Sequence, residues 1–147
     1  AIREIAILRA TLEGLALRLA MAQGPDPAWI GELEATLERM RRARDPRELD
    51  EVHAELHRLL SARSGSERLD GMLDALRVQV RTFLSFVDLL FSDPEGMARE
   101  HEAIVETLKS GDAAAVQNVI DRHILGDAEK LAESWSKADD GERTAGN

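Results

Sequence analysis

Leu49-Asp50-Glu51-Val52-His53-Ala54-Glu55-Leu56-His57-Arg58-Leu59-Leu60 is the stretch that decides the fold. Its apolar residues recur at 49, 52, 56 and 60, the three-four spacing of one helix face. His53 and His57 fall on that same face, one turn apart, so the periodicity that predicts a helix also predicts that both imidazoles point inward. Asp45-Pro46 opens this helix and Ser64-Gly65-Ser66 ends it, with Ser66 the expected cap of the next.

The same reading extends outward in both directions. A first helix over about Ile2 to Ala22 carries two apolar stripes, Ile5, Leu8, Leu12, Leu15 and Leu19 on one side and Ile7, Ala10, Gly14, Leu17 and Met21 on another. One is expected to face the core and the other a subunit or interdomain contact, the alternative being a helix buried all round. Arg9 with Glu13 one turn on reads as an internal ion pair. Asp26-Pro27 starts a second helix, to about Ala43, with Ile30, Leu33, Leu37 and Met40 inward. Its basic end, Arg39, Arg41, Arg42 and Arg44, complements the helix dipole.

A fourth helix from Glu67 to about Phe91 is the most apolar and is expected to be central. Arg77, Arg81, Ser85 and Asp88 form a polar line along it, which either faces water or offers an arginine to a pocket. Asp93-Pro94 opens a fifth helix, to Lys109, with Met97, His101, Ile104, Val105 and Leu108 inward. Gly111 closes it, and Asp112 caps a sixth that runs to about Trp135, with Val116, Val119, Ile120, His123, Ile124 and Leu131 inward. Ser136 to Asn147 lacks apolar periodicity and is expected to be a disordered tail, leaving residues 1–135 as the helical domain. The fold class is therefore all-α.

Composition agrees. Aromatic residues make up 3% of the 147 residues and Tyr is absent, so sheet propensity is low. A net charge of −9 argues against this stretch gripping nucleic acid itself. Cys is absent, which removes thiolate ligands and nucleophiles. No apolar run reaches membrane-spanning length and no signal peptide is evident. The chain begins at Ala1 already in helical register, which reads as a piece of a longer protein.

All four histidines, His53, His57, His101 and His123, lie on apolar stripes. A single histidine so placed is more often a satisfied core residue. Four out of four point instead to a shared ion, since a buried imidazole left without partners costs about 1–3 kcal/mol for each unpaired nitrogen. Two imidazoles at i and i+4 plus one from each of two neighbouring helices make a bundle metal site. Imidazole ligands suit zinc first, with nickel, copper or iron as alternatives.

These residues resemble the FadR-type C-terminal (FCD) ligand-binding domain of GntR-family transcription regulators, in the metal-binding branch. Leu56-His57-Arg58-Leu59-Leu60, Glu100-His101 followed by Ile104, Gly111-Asp112, and His123 twenty-two residues after His101 carry the likeness, with Leu8-Arg9, Leu12-Glu13 and Ala16 in the first helix. The likeness covers about residues 2–133. Two positions depart from the family pattern: His53 stands where Asp is usual, which leaves a bound metal about one charge more positive, and Ser66 stands where Asn is common, which changes only a cap.

The resemblance implies an all-α antiparallel bundle of six to seven helices around a central metal and ligand pocket, in a cytoplasmic, non-enzymatic sensor. A small carboxylate effector would bind at the metal with Arg9, Arg77 and Arg81 as candidate partners. The response would pass to an N-terminal winged helix-turn-helix domain, absent from this chain, that binds operator DNA as a homodimer. The alternatives are a metal-dependent hydrolase or isomerase with Asp127 as general base, and a purely structural metal in a dimerisation domain.

Overall fold

The computed structural model describes residues 1–84 and 93–145, with side chains for residues 1–82 and 93–137. Among these residues the chain forms six helices: α1 (Ile2–Ala22), α2 (Pro27–Arg41), α3 (Pro46–Ala62), α4 (Glu67–Leu84), α5 (Pro94–Ser110) and α6 (Ala113–Ala145). The all-α bundle expected from the periodicity is what the chain builds.

The helix starts follow local chemistry. Asp26, Asp45 and Asp93 each accept a hydrogen bond from the backbone N–H three residues on, at 3.1, 2.8 and 3.0 Å, and each is followed by a proline whose missing N–H is not needed there. Ser66 Oγ accepts from Leu69 N at 3.3 Å, and Asp112 Oδ1 accepts from Ala114 N and Ala115 N at 3.1 Å. Gly111 ends α5 at φ 74°, a left-handed turn that glycine adopts without a Cβ penalty.

Among the described residues the hub of the bundle is α1, a correction to the expectation that α4 is central. α1 packs most extensively against α6 and also contacts α4 and α3, while α2 packs on α5 and α3. The physical reason is side-chain size. The inner face of α1 is Ala6, Ala10, Gly14, Ala16 and Ala20 with Leu17, so neighbouring helices approach closely. At Gly14 a Cβ would overlap the end of the Gln117 side chain of α6, whose amide donates to Ala10 O at 3.3 Å. On α4, Leu69 and Leu73 are buried against Leu12 and Ala16, whereas Met72 and Val78 are exposed. Phe83, Leu84, Val87, Leu90 and Phe91, expected on the same face, lie outside the described side chains, as do Ser85 and Asp88.

The main core joins α1, α2, α3, α5 and α6 through Leu17, Leu33, Leu37, Met40, Leu49, Leu56, Ile104, Val116 and Ile120. Trp29 of α2 caps it, its Nε1–H donating to Leu59 O at 2.9 Å and so tying α2 to α3. The basic end of α2 is surface structure: Arg39 pairs with Glu55 at 2.8 Å and Arg41 with Glu102 at 3.0 Å.

α6 departs from the expected end at Trp135. The stretch read as a disordered tail is helical to Ala145. It contains no proline, and its Ala, Glu, Lys and Arg are good helix formers. Propensity rather than apolar periodicity decides the structure there.

Candidate metal centre

α3, α5 and α6 bring the four histidines together at the middle of the bundle, facing α1. The potential ligand atoms of His53, His57, His101 and His123 all lie within 4.8 Å of one another. His57 Nε2 is 3.1 Å from both His53 Nε2 and His101 Nε2. His123 stacks parallel to His57 with ring centroids 5.6 Å apart and meets the edge of His101 at 4.3 Å.

The outer nitrogens fix the tautomers. Glu13 Oε2 lies 3.0 Å from His57 Nδ1, and Met97 O lies 2.7 Å from His101 Nδ1. A carboxylate and a carbonyl can only accept, so both Nδ1 atoms carry the proton and both Nε2 atoms present bare lone pairs. Two lone pairs at 3.1 Å cannot hydrogen-bond to one another. A proton between them is also disfavoured: burial lowers every one of the four imidazoles, His57 to about 4 and His123 to about 3, so the rings are neutral at pH 7.

A transition-metal ion fits this donor set. Two nitrogens held at about 2.0–2.1 Å from one ion stand roughly 2.9 Å apart at a right angle and roughly 3.4 Å apart at the tetrahedral angle. The observed 3.1 Å separations fall between the two.

Glu13 supports the centre from α1. It is buried, and Arg9 Nε donates to its Oε1 at 2.9 Å while Arg77 lies 3.5 Å away. Burial acts to raise this carboxyl, but Arg9, His57 and Arg77 outweigh it and hold it well below the usual carboxylate range. With His57 neutral, the Glu13 contact is a charge-assisted hydrogen bond that orients the ring rather than an ion pair. Sequence reading found the Arg9–Glu13 pair and missed its third member. The signal was present, since Glu13 shares the inward face of α1 with Ala6, Ala10 and Leu17.

The three candidate arginines line one cavity of about 300 Å³ with His53, Ala54, His57, Arg58 and Val78. Arg77 donates to His57 O at 2.9 Å and to Ser61 Oγ at 3.0 Å, while its buried Nε has no acceptor among the described residues. Arg81 reaches Asp50 of α3 at 2.9 Å. The polar line on α4 therefore offers arginines to a pocket at 77 and 81. Arg58, from the same turn as His57, was not anticipated there.

Asp127 stands 3.8 Å from His123 Nε2, beyond hydrogen-bond distance, and burial pushes its carboxyl up to about 6. It lines a different cavity, of about 280 Å³, with Glu100, Arg122, His123 and Lys130.

The family profile described as the FCD domain matches residues 4–126. The chain belongs to the FCD domain family. Among solved structures it is similar to E. coli McbR/YncC, with a TM-score of 0.78 at 20% identity over 90% of this chain. The aligned region spans 64% of the length of McbR/YncC, and at that identity the likeness speaks for the fold. No curated protein matches by sequence. FCD membership supports reading the chain as the effector-binding domain of a GntR-family regulator. Among the described residues no helix is long and apolar enough to cross a membrane.

Proposed function

We propose that this FCD domain senses a small carboxylate metabolite through a divalent transition metal held by His53, His57, His101 and His123. Zinc is the first choice of metal on availability, with nickel next. When bound, the metal supplies a Lewis-acidic centre for an anionic oxygen. The chain's own residues do the rest: Glu13 and the Met97 carbonyl orient His57 and His101, and Arg77, with Arg9 and Arg81, supplies the counter-charge to the effector.

One observation carries the proposal. His53 and His57 open onto a cavity lined by four arginines and Asp74, in which Arg77, paired with Asp74 through Nη1, keeps a buried Nε–H without an acceptor among the described residues. A buried donor left unpaired is costly, and a carboxylate is the partner a guanidinium binds best. The hydrolase reading would instead place its substrate in the second cavity, where Asp127 and His123 lie together.

A winged helix-turn-helix domain N-terminal to Ala1 would read operator DNA as a homodimer in the cytoplasm. The effector would bias the regulator between its DNA-bound and free states by its differential affinity for the two. Thermal melting of metal-loaded and chelated protein, with and without a panel of small carboxylic acids, tests this. An acid that raises the melting temperature only when metal is present supports it. Metal binding with no response to any acid overturns the sensing role.

A further inference from the structure

The histidine centre has two openings of different charge. His57 and His101 are 2% and 1% exposed, so an ion reaches them only past other side chains. On one side His53 and His57 meet the cavity lined by Arg9, Arg58, Arg77 and Arg81 against a single carboxylate, Asp74. Four guanidinium groups oppose the approach of a divalent cation. On the other side His123 meets the second cavity, where Glu100 and Asp127 offset Arg122 and Lys130.

His123 belongs to two groups of donors. A ring nitrogen of His123 lies within 4.8 Å of ligand atoms of the other three histidines, and one lies within 4.8 Å of carboxylate oxygens of Glu100 and Asp127, which are themselves that close. Helix geometry sets this up, since Asp127 follows His123 by one turn of α6 and Glu100 directly precedes His101 on α5. Glu100 Oε2 is 3.9 Å from His123 Nδ1 and Asp127 Oδ2 is 3.8 Å from its Nε2, both beyond hydrogen-bond distance. The His123 side chain is only 5% exposed and makes no hydrogen bond among the described residues, while the two carboxylates are 49% and 36% exposed. Lys130 Nζ stands 3.4 Å from Glu100 and 3.9 Å from Asp127, so a cation is already drawn to this spot without being tightly held.

We propose that Glu100, Asp127 and His123 form an outer cation site, the port through which a divalent transition metal enters the histidine centre, with His123 handing it from one donor group to the other. One imidazole with two carboxylates suits the same class of ion as the inner centre and leaves positions for water. The donors stand wider apart than the roughly 2.9–3.4 Å of a closed shell, so the port binds weakly and releases readily. No covalent bond of the chain changes: water and carboxylate oxygens are exchanged for imidazole nitrogens, and Lys130, 57% exposed, swings aside into solvent. The inference rests on the proposed metal reading of the inner centre. It gives the two openings separate traffic, cations past the carboxylates and the anionic effector past the arginines.

Stopped-flow uptake of Co²⁺ by the metal-free chain, followed by the visible absorption of imidazole-bound cobalt, tests the port. Glu100→Gln and Asp127→Asn should each slow uptake roughly tenfold, and Lys130→Ala should speed it, since the first two remove an attracting charge and the third a competing one. A port serves exit as well as entry, so release to a chelator should slow by the same factor in the carboxylate variants and leave the equilibrium affinity unchanged. A residue that only oriented His123 would behave otherwise, lowering affinity about 10- to 100-fold through faster release. Uptake at the wild-type rate in both carboxylate variants, slower uptake paired with faster release, or slower uptake in Lys130→Ala would each overturn the port and leave the metal centre standing. A wild-type chain that takes up no cobalt would overturn the centre itself, and the port with it.

Discussion

His57 and His101 face each other through Nε2 atoms 3.1 Å apart, while each ring's Nδ1–H is committed elsewhere, to Glu13 and to the Met97 carbonyl. Both rings are oriented by their outer hydrogen bonds and unsatisfied at their inner ones. A cation resolves that arrangement, and a closed network of neutral hydrogen bonds does not.

Glu13→Gln tests the orienting side. It removes the charge that Arg9, Arg77 and the His57 N–H share, and partners that orient a ligating histidine are typically worth 10- to 100-fold in metal affinity. We expect a loss in that range, read by competition with a chelator of known affinity. Stability should also fall, by less than the about 3–5 kcal/mol of a broken fully buried pair, because solvent reaches part of Arg9.

Arg77→Ala should leave the metal in place and reduce the rise in melting temperature produced by a responsive carboxylate. Without effector the variant should already melt lower, because the bonds to His57 O and Ser61 Oγ are lost. Arg81→Ala should do less on both counts, its guanidinium being half exposed and paired with Asp50. Equal effector responses in wild type and Arg77→Ala would remove Arg77 from the pocket.

The metal-free domain should lose stability in acid. The imidazoles have folded pKa values below the ordinary 6.5, His57 at about 4 and His123 at about 3. The unfolded chain therefore binds more protons than the folded one in this range, and stability rises with pH. The contribution is fully present above about pH 6.5 and is lost progressively as pH falls toward about 4 and 3. Urea midpoints of chelated protein between pH 8 and pH 5 check this, and a flat profile would mean that the rings are not buried neutral.

Asp45→Ala should cost about 1 kcal/mol by removing the N-cap of the helix that carries His53 and His57. Equilibrium denaturation reads the loss, and metal affinity should change much less than in Glu13→Gln.

Much of this was written in local patterns. The three-four spacing of α3, α5 and α6 placed all four histidines inward, and the Asp-Pro pairs set three helix starts, because both follow from helix geometry alone. The hub was misread because apolar content is not burial. α4 is rich in large residues yet exposes Met72 and Val78, while α1 wins the centre with alanines that let other helices approach. Glu13 was seen only as the partner of Arg9, since its approach to His57 spans 44 residues and depends on how α1 docks against α3. Arg58 entered the cavity unannounced for a similar reason.

The most direct test is the metal content of the purified chain after reloading and removal of excess ion, by elemental analysis, for wild type, His101→Ala and the surface control Arg47→Ala. The account predicts about one transition-metal ion per chain in wild type and control, and little or none in His101→Ala. Wild type without bound metal, or His101→Ala retaining a full equivalent, would contradict it and return the four imidazoles to the ordinary core.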